Sequence, residues 1–458
     1  MPGGARGPRR RRGRASRPGG CDSRPFPRPL PPTTGTTSPT AMSTLHLDEP
    51  SPTSGDGPSG VSGLAAAVRE GRLSAATVAE RLLAALDDAV PVGAGLVVDA
   101  GPLRAAAAAL DRRTDRFALP LAGVPVVVED GISVAGRGDE VVRRLRAAGA
   151  LVAGRARTAE HEVGLDGTPG GRATATVVAS GVVPLGIGVD GDGTLRCAAA
   201  AHGIAALKPG RRVLPLPDAA ERRWCGLAEP TLIAGCAEDL TVVLDALSRG
   251  TGGPAAPSSV LRLTAPTGPG PGSGATPVSS LAASLRTGRT RLAGPDAASA
   301  VHTAITLLQD AGLGLVAADP PYRAVLVVHS ARRRQAGLAR RVEDLGLDPA
   351  ELPRSARSLV RRGRRVRRLG GLRPATPASW RQRMVAWLDD AGAEAGLLPA
   401  PPGASGAGST GVAAWNLAGL PSLVAPVHRP GEHGCVQLVG RPGSERRLLA
   451  TAALLAEG

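Results

Sequence analysis

The sequence has few aromatic residues and almost no lysine. Aromatic residues make up 2% of the 458 residues, and Lys208 is the only lysine among 55 basic residues. Because large aromatic side chains are scarce, we expect alanine, valine and leucine to fill most of the core. The excess of alanine, glycine, proline and arginine runs along the whole chain. An arginine cluster is therefore a weaker sign of function here than in a chain of average composition.

Cysteine pairs and metal-binding motifs are also absent from the sequence. The five cysteines are scattered without a CxxC spacing, at Cys21, Cys197, Cys225, Cys236 and Cys435. The seven histidines form no HExxH motif. This pattern argues against a disulfide framework or a zinc site and favours reduced thiols in a cytoplasmic protein. We expect neither a metal ion nor a cofactor.

No apolar run approaches eighteen residues, so the sequence predicts no membrane span. The basic N-terminus lacks the apolar segment of a signal peptide. Residues 1–59 are rich in proline, glycine and arginine without apolar periodicity, and we predict a disordered tail there. Met42 could be the true start of translation. Residues 60–458 are predicted to form the folded domain.

The formal net charge of +16 is concentrated in two arginine clusters. One is "ARGPRRRRGRASR" near the N-terminus, and the other is "RRGRRVRRLGG" at 361–371. Either could bind phosphate backbones, or could simply be a solvated tail and a solvated helix face. No aromatic residues interleave for base stacking, so we predict no specific nucleic-acid binding.

Strand and helix patterns alternate along the domain. Apolar residues recur at helical spacing near 65–86, where Ser74 can cap a second helix, and again at 230–248 and 296–314. The stretch "GVPVVVEDGISVAG" (123–136) reads as a buried strand that delivers Glu129 and Asp130 at its tip. The alternation predicts an α/β fold with a mostly parallel mixed sheet covered by helices on both faces.

A glycine-rich turn follows the next apolar strand. "GIGVDGDGTLR" (186–196) contains a GxGxxG pattern at Gly186, Gly188 and Gly191, which could indicate dinucleotide binding. The following segment "CAAAAHGIAALKPG" is short and apolar, unlike the amphipathic helix of a dinucleotide-binding unit. A nucleotide-binding protein is therefore one alternative.

The residues around the turn carry a resemblance to a known family. "GVVPLGIGVDGDGTLRCAAAAHGIAALKPGRRVLP" resembles the signature block of the amidase signature family: an Asp, a glycine turn ending in Arg, a small-residue helix and Gly-Leu-Lys-Pro. "LPLAGVPVVVEDGISVAG" and "AAWNLAGLPSLVAPV" are similar to two further family segments, so the resemblance spans roughly 60–458. It implies the amidase-signature fold.

The resemblance also implies where the chemistry would lie. Members of the family hydrolyse or transfer amides with a serine nucleophile, a second serine that relays its proton, and a lysine base. Carried over, the nucleophile falls on Thr194 and the base on Glu129. The relay serine falls on Gly170 by ungapped counting, or on Arg172 when "PGG" is aligned. All three catalytic positions would then be substituted, and the segments after Gly136 and before Pro169 are shorter than in the family.

The oxyanion turn of the family falls on Gly191, Asp192 and Gly193, with Asp192 in place of a glycine. A carboxylate there would repel the negative charge that develops during acyl transfer. The resemblance thus predicts a degenerate amidase that has lost amide hydrolysis. A rewired hydrolase that acts on a small amide, with Thr194 as nucleophile and Glu129 as base, is the second alternative.

Structural roles are the competing interpretation for the individual residues. Thr194 could simply pack, and Glu129 could pair with Arg172 or Arg196. Four residues match structural positions of the signature: Asp190, Arg196, Lys208 and Asn416. We expect Asp190 and Arg196 to form a pair that shapes the turn, and Asn416 to be a buried hydrogen-bonding residue. The sequence indicates no partner and leaves the oligomeric state open.

Overall fold

Short segments, most of them buried, supply the strands of a single sheet. The computed structural model describes residues 60–89, 95–129, 132, 140–156, 172–216, 224–248, 275–401, 410–429 and 432–456. Within these residues the sheet has 11 strands: β1 (Leu96–Val98), β2 (Pro125–Glu129), β3 (Leu151–Ala156), β4 (Leu185–Asp190), β5 (Ala205–Lys208), β6 (Glu229–Ala234), β7 (Ser280–Ala283), β8 (Gly314–Ala317), β9 (Ala395–Pro399), β10 (Ser422–Arg429) and β11 (Glu432–Gly440).

Helices connect these strands. The described residues contain 13 α-helices: α1 (Gly60–Arg69), α2 (Ala75–Ala89), α3 (Ala100–Asp111), α4 (Glu140–Ala147), α5 (Arg172–Ala179), α6 (Thr194–Ala201), α7 (Ala237–Ser248), α8 (Pro295–Asp310), α9 (Ala324–Asp344), α10 (Arg354–Arg368), α11 (Thr376–Asp390), α12 (Thr410–Ala418) and α13 (Glu445–Ala453). No helix in this part of the chain is long and apolar enough to cross a membrane.

The sheet is mixed, in the order β1-β3-β2-β4-β6-β5-β10-β11-β9-β7-β8. Antiparallel neighbours are more frequent than the strand–helix alternation predicts: six of the ten pairs are antiparallel and four are parallel. The reason is topological. Strand β6 is inserted between β4 and β5, which α6 connects in sequence, and β10 and β11 form a hairpin.

The predicted helical pair at the start of the domain is confirmed, with α1 and α2 separated at Ser74. The Ser74 hydroxyl accepts a hydrogen bond of 2.9 Å from the backbone N–H of Thr77, as a helix-capping serine does. The Asp111 carboxylate accepts the N–H groups of Ala75 and Ala76 at 2.7 and 2.9 Å. Two side chains therefore satisfy three of the free amides at this helix end.

Two hydrophobic clusters divide the few aromatic residues unequally. The cluster of α2, α3, α5 and α6 against β2 and β3 consists of Ala, Val, Leu, Ile and one Cys, with no aromatic residue among its described members. A second cluster contains Tyr322, Trp380, Trp387 and Trp415, and Trp224 packs against it. The small-residue core that composition predicts therefore holds for the first cluster, whereas tryptophan fills the second.

The prediction of one amphipathic helix over residues 230–248 is wrong. The first residues of this segment belong to β6, all six residues of which are buried, and helix α7 begins only at Ala237. A short apolar run fits a buried strand as well as a helix, so periodicity cannot separate them. The helix predicted at 296–314 is observed as α8, which ends at Asp310. Gly314, the last residue of the predicted segment, begins β8 instead.

The ends of β2 and β4 position the candidate site. Both strands are completely buried and run parallel to each other, so their carboxyl ends meet at one edge of the sheet. Glu129 ends β2 and Asp190 ends β4. The predicted tail at 1–59, Met42, and the shortened segments after Gly136 and before Pro169 lie outside the described residues.

Candidate active site

Glu129 lies buried against β4, sixty residues along the chain. Its Oε2 accepts a hydrogen bond of 2.6 Å from the backbone N–H of Val189. The carboxylate occupies the space beside Gly188, where a Cβ would overlap Oε2. Only glycine at 188 leaves room for this acid in the sheet. The structure therefore brings Glu129 next to the glycine turn.

The turn itself connects β4 to α6 through Gly191, Asp192 and Gly193. Gly193 caps the helix with φ at 92°, a left-handed conformation that favours glycine. The N–H of Cys197 donates to the Gly193 carbonyl at 2.8 Å, which begins the helical hydrogen-bonding. Thr194 is the first helical residue, and its side chain is 9% exposed.

A buried ion pair holds this turn in shape. Arg196 Nε donates to Asp190 Oδ2 at 2.8 Å, and neither side chain is exposed to solvent. The other carboxylate oxygen accepts the N–H of Gly193 at 2.6 Å. Burial alone would raise the pKa of Asp190. The charge and hydrogen bonds of Arg196, with Lys208 and Asn416, outweigh burial and hold this pKa below its ordinary value.

Asn416 on α12 extends the pair into a network. Its Nδ2 donates to the Asp190 carbonyl at 2.9 Å and to Oδ1 at 3.2 Å, and its Oδ1 accepts from Arg196. Arg196 also donates to the Ser422 hydroxyl at 3.0 Å, and that hydroxyl donates to Gln437 at 3.2 Å. The expected Asp190–Arg196 pair and the buried role of Asn416 are confirmed. Arg196 is committed to this network.

Lys208 is completely buried at the end of β5. Its Nζ donates to the carbonyl of Pro209 at 2.9 Å and to that of Leu420 at 2.7 Å. Burial, together with the positive charge of Arg196, lowers the pKa of Lys208 to about 7. Both partners are backbone carbonyls, so these contacts tie the end of β5 to the segment that precedes β10.

Asp192 places a second acid at the turn. Its side chain is 7% exposed, and Oδ2 lies 3.3 Å from Nη1 of Arg334 on α9. Burial raises the pKa of Asp192, and the negative charge of Asp190 adds to this effect. Arg334 and the hydroxyl and amide of Thr194 act in the opposite direction. Oδ1 of Asp192 has no hydrogen-bond partner in the described structure.

Two apolar side chains cover the glycines of the turn. The indole ring of Trp224 lies directly on Gly191, and the side chain of Val412 on α12 lies directly on Gly193. A Cβ at either glycine would overlap these neighbours. The turn that would receive an oxyanion is therefore packed against a tryptophan and a valine.

The two candidates for the relay position differ in their placement. Gly170 lies outside the described residues, as does Asp130, while Arg172 is the first residue of α5. Helix α5 packs beside β4: Thr174 and Val178 occupy the space over Gly186. The described structure thus assembles Glu129, Asp192 and Thr194 around the turn.

Comparison with known proteins assigns the family. No model of a known protein family matches the chain. It is 30% identical over 428 residues to a Mycobacterium tuberculosis protein named as an amidase, AmiB2, an alignment that covers 78% of this chain and 86% of that one. The chain belongs to the amidase signature family. Membership confirms the family resemblance of the three sequence segments.

Solved structures of low sequence identity share the amidase-signature fold. A 6-aminohexanoate cyclic dimer hydrolase complexed with substrate superposes with a TM-score of 0.69 at 19% identity, covering 87% of this chain and 96% of that one. A bacterial aryl acylamidase described as a member of the amidase signature family gives a TM-score of 0.66 at 16% identity, with the same coverage. The amidase-signature α/β fold with its large mixed sheet is therefore confirmed.

The amidase-signature fold gives the GxGxxG pattern a different meaning. Gly186 and Gly188 lie inside β4 and not in a turn after it, and both are covered by side chains. Gly191 is covered by Trp224. A dinucleotide site needs exposed glycines in the turn, so that the pyrophosphate can approach the backbone. This geometry argues against the nucleotide-binding alternative.

Sequence reasoning missed the residues that cover and pair the turn. Trp224, Arg334 and Val412 are brought to it from three separate segments, and no local pattern marks them. Ser422 carries a weak signal, because it follows the "AGLP" that matches the family and lies opposite Lys208 in the β5–β10 register.

Proposed function

We propose that this amidase-signature protein has lost amide hydrolysis by the serine–serine–lysine relay of its family. The observation that carries the proposal is the pair of buried acids at the turn, Glu129 and Asp192. The family resemblance puts the base on Glu129, the nucleophile on Thr194 and the relay serine on Gly170 or Arg172. Thr194 keeps a hydroxyl, but Glu129 cannot replace a lysine base, and neither Gly170 nor Arg172 supplies a relay hydroxyl, without a change of mechanism.

The electrostatics of the turn oppose acyl transfer. The reaction develops a negative oxygen, which enzymes stabilise with preorganised hydrogen-bond donors in a water-excluded site. Here the Asp192 carboxylate lies within the turn, and the Gly193 N–H already donates to Asp190. A negative charge next to a developing oxyanion raises the barrier, and this repulsion is strong where burial lowers the dielectric response.

Packing at the turn acts in the same direction. Trp224 and Val412 fill the space directly above Gly191 and Gly193. A carbonyl group that approached these backbone amides would have to displace both side chains. Part of the substrate's binding energy would then be used to displace these side chains, so less of it would stabilise the transition state.

Glu129 is held as a hydrogen-bond acceptor in the sheet. The Val189 N–H donates to its Oε2 at 2.6 Å. A lysine base must be neutral and able to receive the nucleophile's proton through the relay serine. Glu129 has a carboxyl group in place of the amine, and its bond to β4 supports a structural role.

Labelling with a hydroxyl-directed fluorophosphonate tests the loss of the nucleophile. We expect no adduct at Thr194 under conditions that fully label an active serine amidase included as a positive control. Peptide mass spectrometry would locate any adduct. A stoichiometric adduct at Thr194 that disappears in Thr194→Val would contradict the proposal.

A rewired hydrolase acting on a small amide is the second candidate, and one observation favours it. Thr194 is the first residue of α6. Burial raises the pKa of the neighbouring Asp192 carboxylate, and the hydrogen bonds of Thr194 act in the opposite direction. A carboxylate with a raised pKa is a better general base than an ordinary one. In this scheme Thr194 is the nucleophile, and Glu129 or Asp192 is the base. Separate Glu129→Gln and Asp192→Asn variants would distinguish the two.

A further inference from the structure

A cationic cavity lies away from the glycine turn, between α9 and the start of α11. It has a volume of about 580 Å³ and is bounded by His329 and Arg332 of α9, by the connection 369–375, and by the first turn of α11. The lining residues include no acidic side chain. This volume is within the range of small-molecule sites, about 300 to 1,000 Å³.

Two arginines of the lining are available to a ligand. Arg332 and Arg373 are exposed, and neither guanidinium group has an ion-pair or hydrogen-bond partner in the described structure. Three other arginines of α9 and α10 are paired with acids: Arg364 and Arg367 both contact Glu343, and Arg334 contacts Asp192. Arg332 and Arg373 therefore remain available to an anion at the cavity.

One wall of the cavity is a fixed histidine–tryptophan pair. Trp380 Nε1 donates to His329 Nδ1 at 3.1 Å, and the two rings meet edge-on at a centroid distance of 6.4 Å. Because Nδ1 accepts this bond, the proton of the neutral imidazole lies on Nε2, where it is a donor. Arg383 lies over the indole at 5.5 Å and adds a further positive charge.

The connection that forms the opposite wall is anchored in place. Arg333 donates to the carbonyl of Arg373 at 2.9 Å and to that of Cys225 at 2.7 Å. Gly370 adopts a left-handed φ of 64°, and the Gly371 N–H donates to Val366 at 2.8 Å, which closes α10. The arginine side chains are therefore presented by backbone that these hydrogen bonds anchor, and such preorganisation favours binding.

We propose that this cavity binds a small molecule bearing a phosphate group. Guanidinium forks of Arg332 and Arg373 match phosphate oxygens. The hydroxyls of Thr376 and Ser379, which also line the cavity, and the N-terminal end of the 15-residue helix α11 offer further donors. A phosphate fills only part of 580 Å³, so the ligand carries an organic portion. The proposal does not depend on whether the chain hydrolyses amides.

Isothermal titration calorimetry of the full chain with inorganic pyrophosphate, in 150 mM NaCl, tests the site. We expect saturable binding of one pyrophosphate per chain. The double variant Arg332→Gln/Arg373→Gln should weaken it at least tenfold. The matched control is Arg361→Gln/Arg365→Gln, which removes the same charge from exposed positions of α10 outside the cavity. This control should change the affinity less than twofold.

Three outcomes would overturn the phosphate site. The first is no binding by the wild-type chain, and the second is an equal loss in both double variants, which would mean diffuse charge attraction. The third comes from titrating a single-stranded 20-mer RNA in the same buffer. If RNA binds and pyrophosphate does not, the basic face is a nucleic-acid surface. Thermal unfolding of each variant checks that the fold is retained.

Discussion

Asp190 and Arg196 form a completely buried ion pair at the hinge between β4 and α6, with Nε 2.8 Å from Oδ2. The pair is surrounded by the amide of Gly193 and the side chains of Asn416 and Ser422. Every charge-bearing group in this network has partners, which is the condition under which burying charge is tolerated. The ion pair therefore preserves the shape of the turn, whether or not the turn catalyses a reaction.

Removing one member of this pair should destabilise the protein strongly. Asp190→Asn leaves the Arg196 charge buried without compensation, and we expect a loss of about 3–5 kcal/mol in the free energy of unfolding. Urea denaturation monitored by tryptophan fluorescence measures it. The control is Asp389→Asn, which breaks the exposed pair with Arg441 and should cost at most about 1 kcal/mol. Equal losses in the two variants would show that the buried network contributes nothing special.

The buried lysine predicts a specific pH dependence. The folded-state pKa of Lys208 is lowered to about 7, whereas an unfolded lysine titrates near 10.4. Between these values the unfolded state binds more protons, so the contribution of Lys208 to the free energy of unfolding rises with pH. From pH 7 to pH 8 we expect wild type to gain about 1 kcal/mol relative to Lys208→Met.

Wild type and Lys208→Met are compared only between pH 7 and pH 8, because at higher pH the buried thiols lower the free energy of unfolding. Burial raises the pKa of Cys197, Cys236 and Cys435, so these groups favour the unfolded state once pH exceeds the ordinary thiol value. Both proteins share the thiols, and the difference between them isolates the lysine. A difference that stays flat from pH 7 to pH 8 would show that Lys208 is not titrating there.

The covered turn predicts a large effect of a single methyl group. Gly193→Ala must adopt a left-handed φ and also displace Val412, whereas Gly181→Ala faces the left-handed φ of 76° with open space around it. We expect Gly193→Ala to cost about 1–3 kcal/mol more than Gly181→Ala. Adding Val412→Ala to Gly193→Ala should recover part of that excess. A pair of alanine variants with equal unfolding free energies would mean that Val412 does not press on the turn.

Restoring two family residues should not restore catalysis. Under the proposed assignment of the catalytic positions, Thr194→Ser with Glu129→Lys supplies a serine nucleophile and a lysine base, but Asp192 and the proposed loss of the relay serine remain. We expect no hydrolysis of simple amides by this double variant, measured as ammonia release from protein whose thermal unfolding is still cooperative. Turnover that appears on these two substitutions alone would show that the other changes at the turn are harmless.

The sequence predicts the frame of the site better than its surroundings. The buried strand ending at Glu129, the turn at 191–193 and the Asp190–Arg196 pair follow from local patterns and family resemblance. Strand β6 does not follow from the sequence, because a six-residue buried run fits a strand and a helix equally well. The contacts of Trp224, Arg334 and Val412 with the turn depend on how distant segments pack, which no local pattern encodes.

Above all, we propose that this amidase-signature chain does not hydrolyse amides. The most direct measurement is steady-state ammonia or aniline release by wild-type protein, from aliphatic amides, aromatic amides and a 4-nitroanilide. We expect kcat/KM below about 1 M⁻¹ s⁻¹, at least roughly 10⁴-fold under the usual enzyme range. Turnover well above this limit, abolished by Thr194→Val and by either Glu129→Gln or Asp192→Asn, would contradict the account and establish a threonine hydrolase.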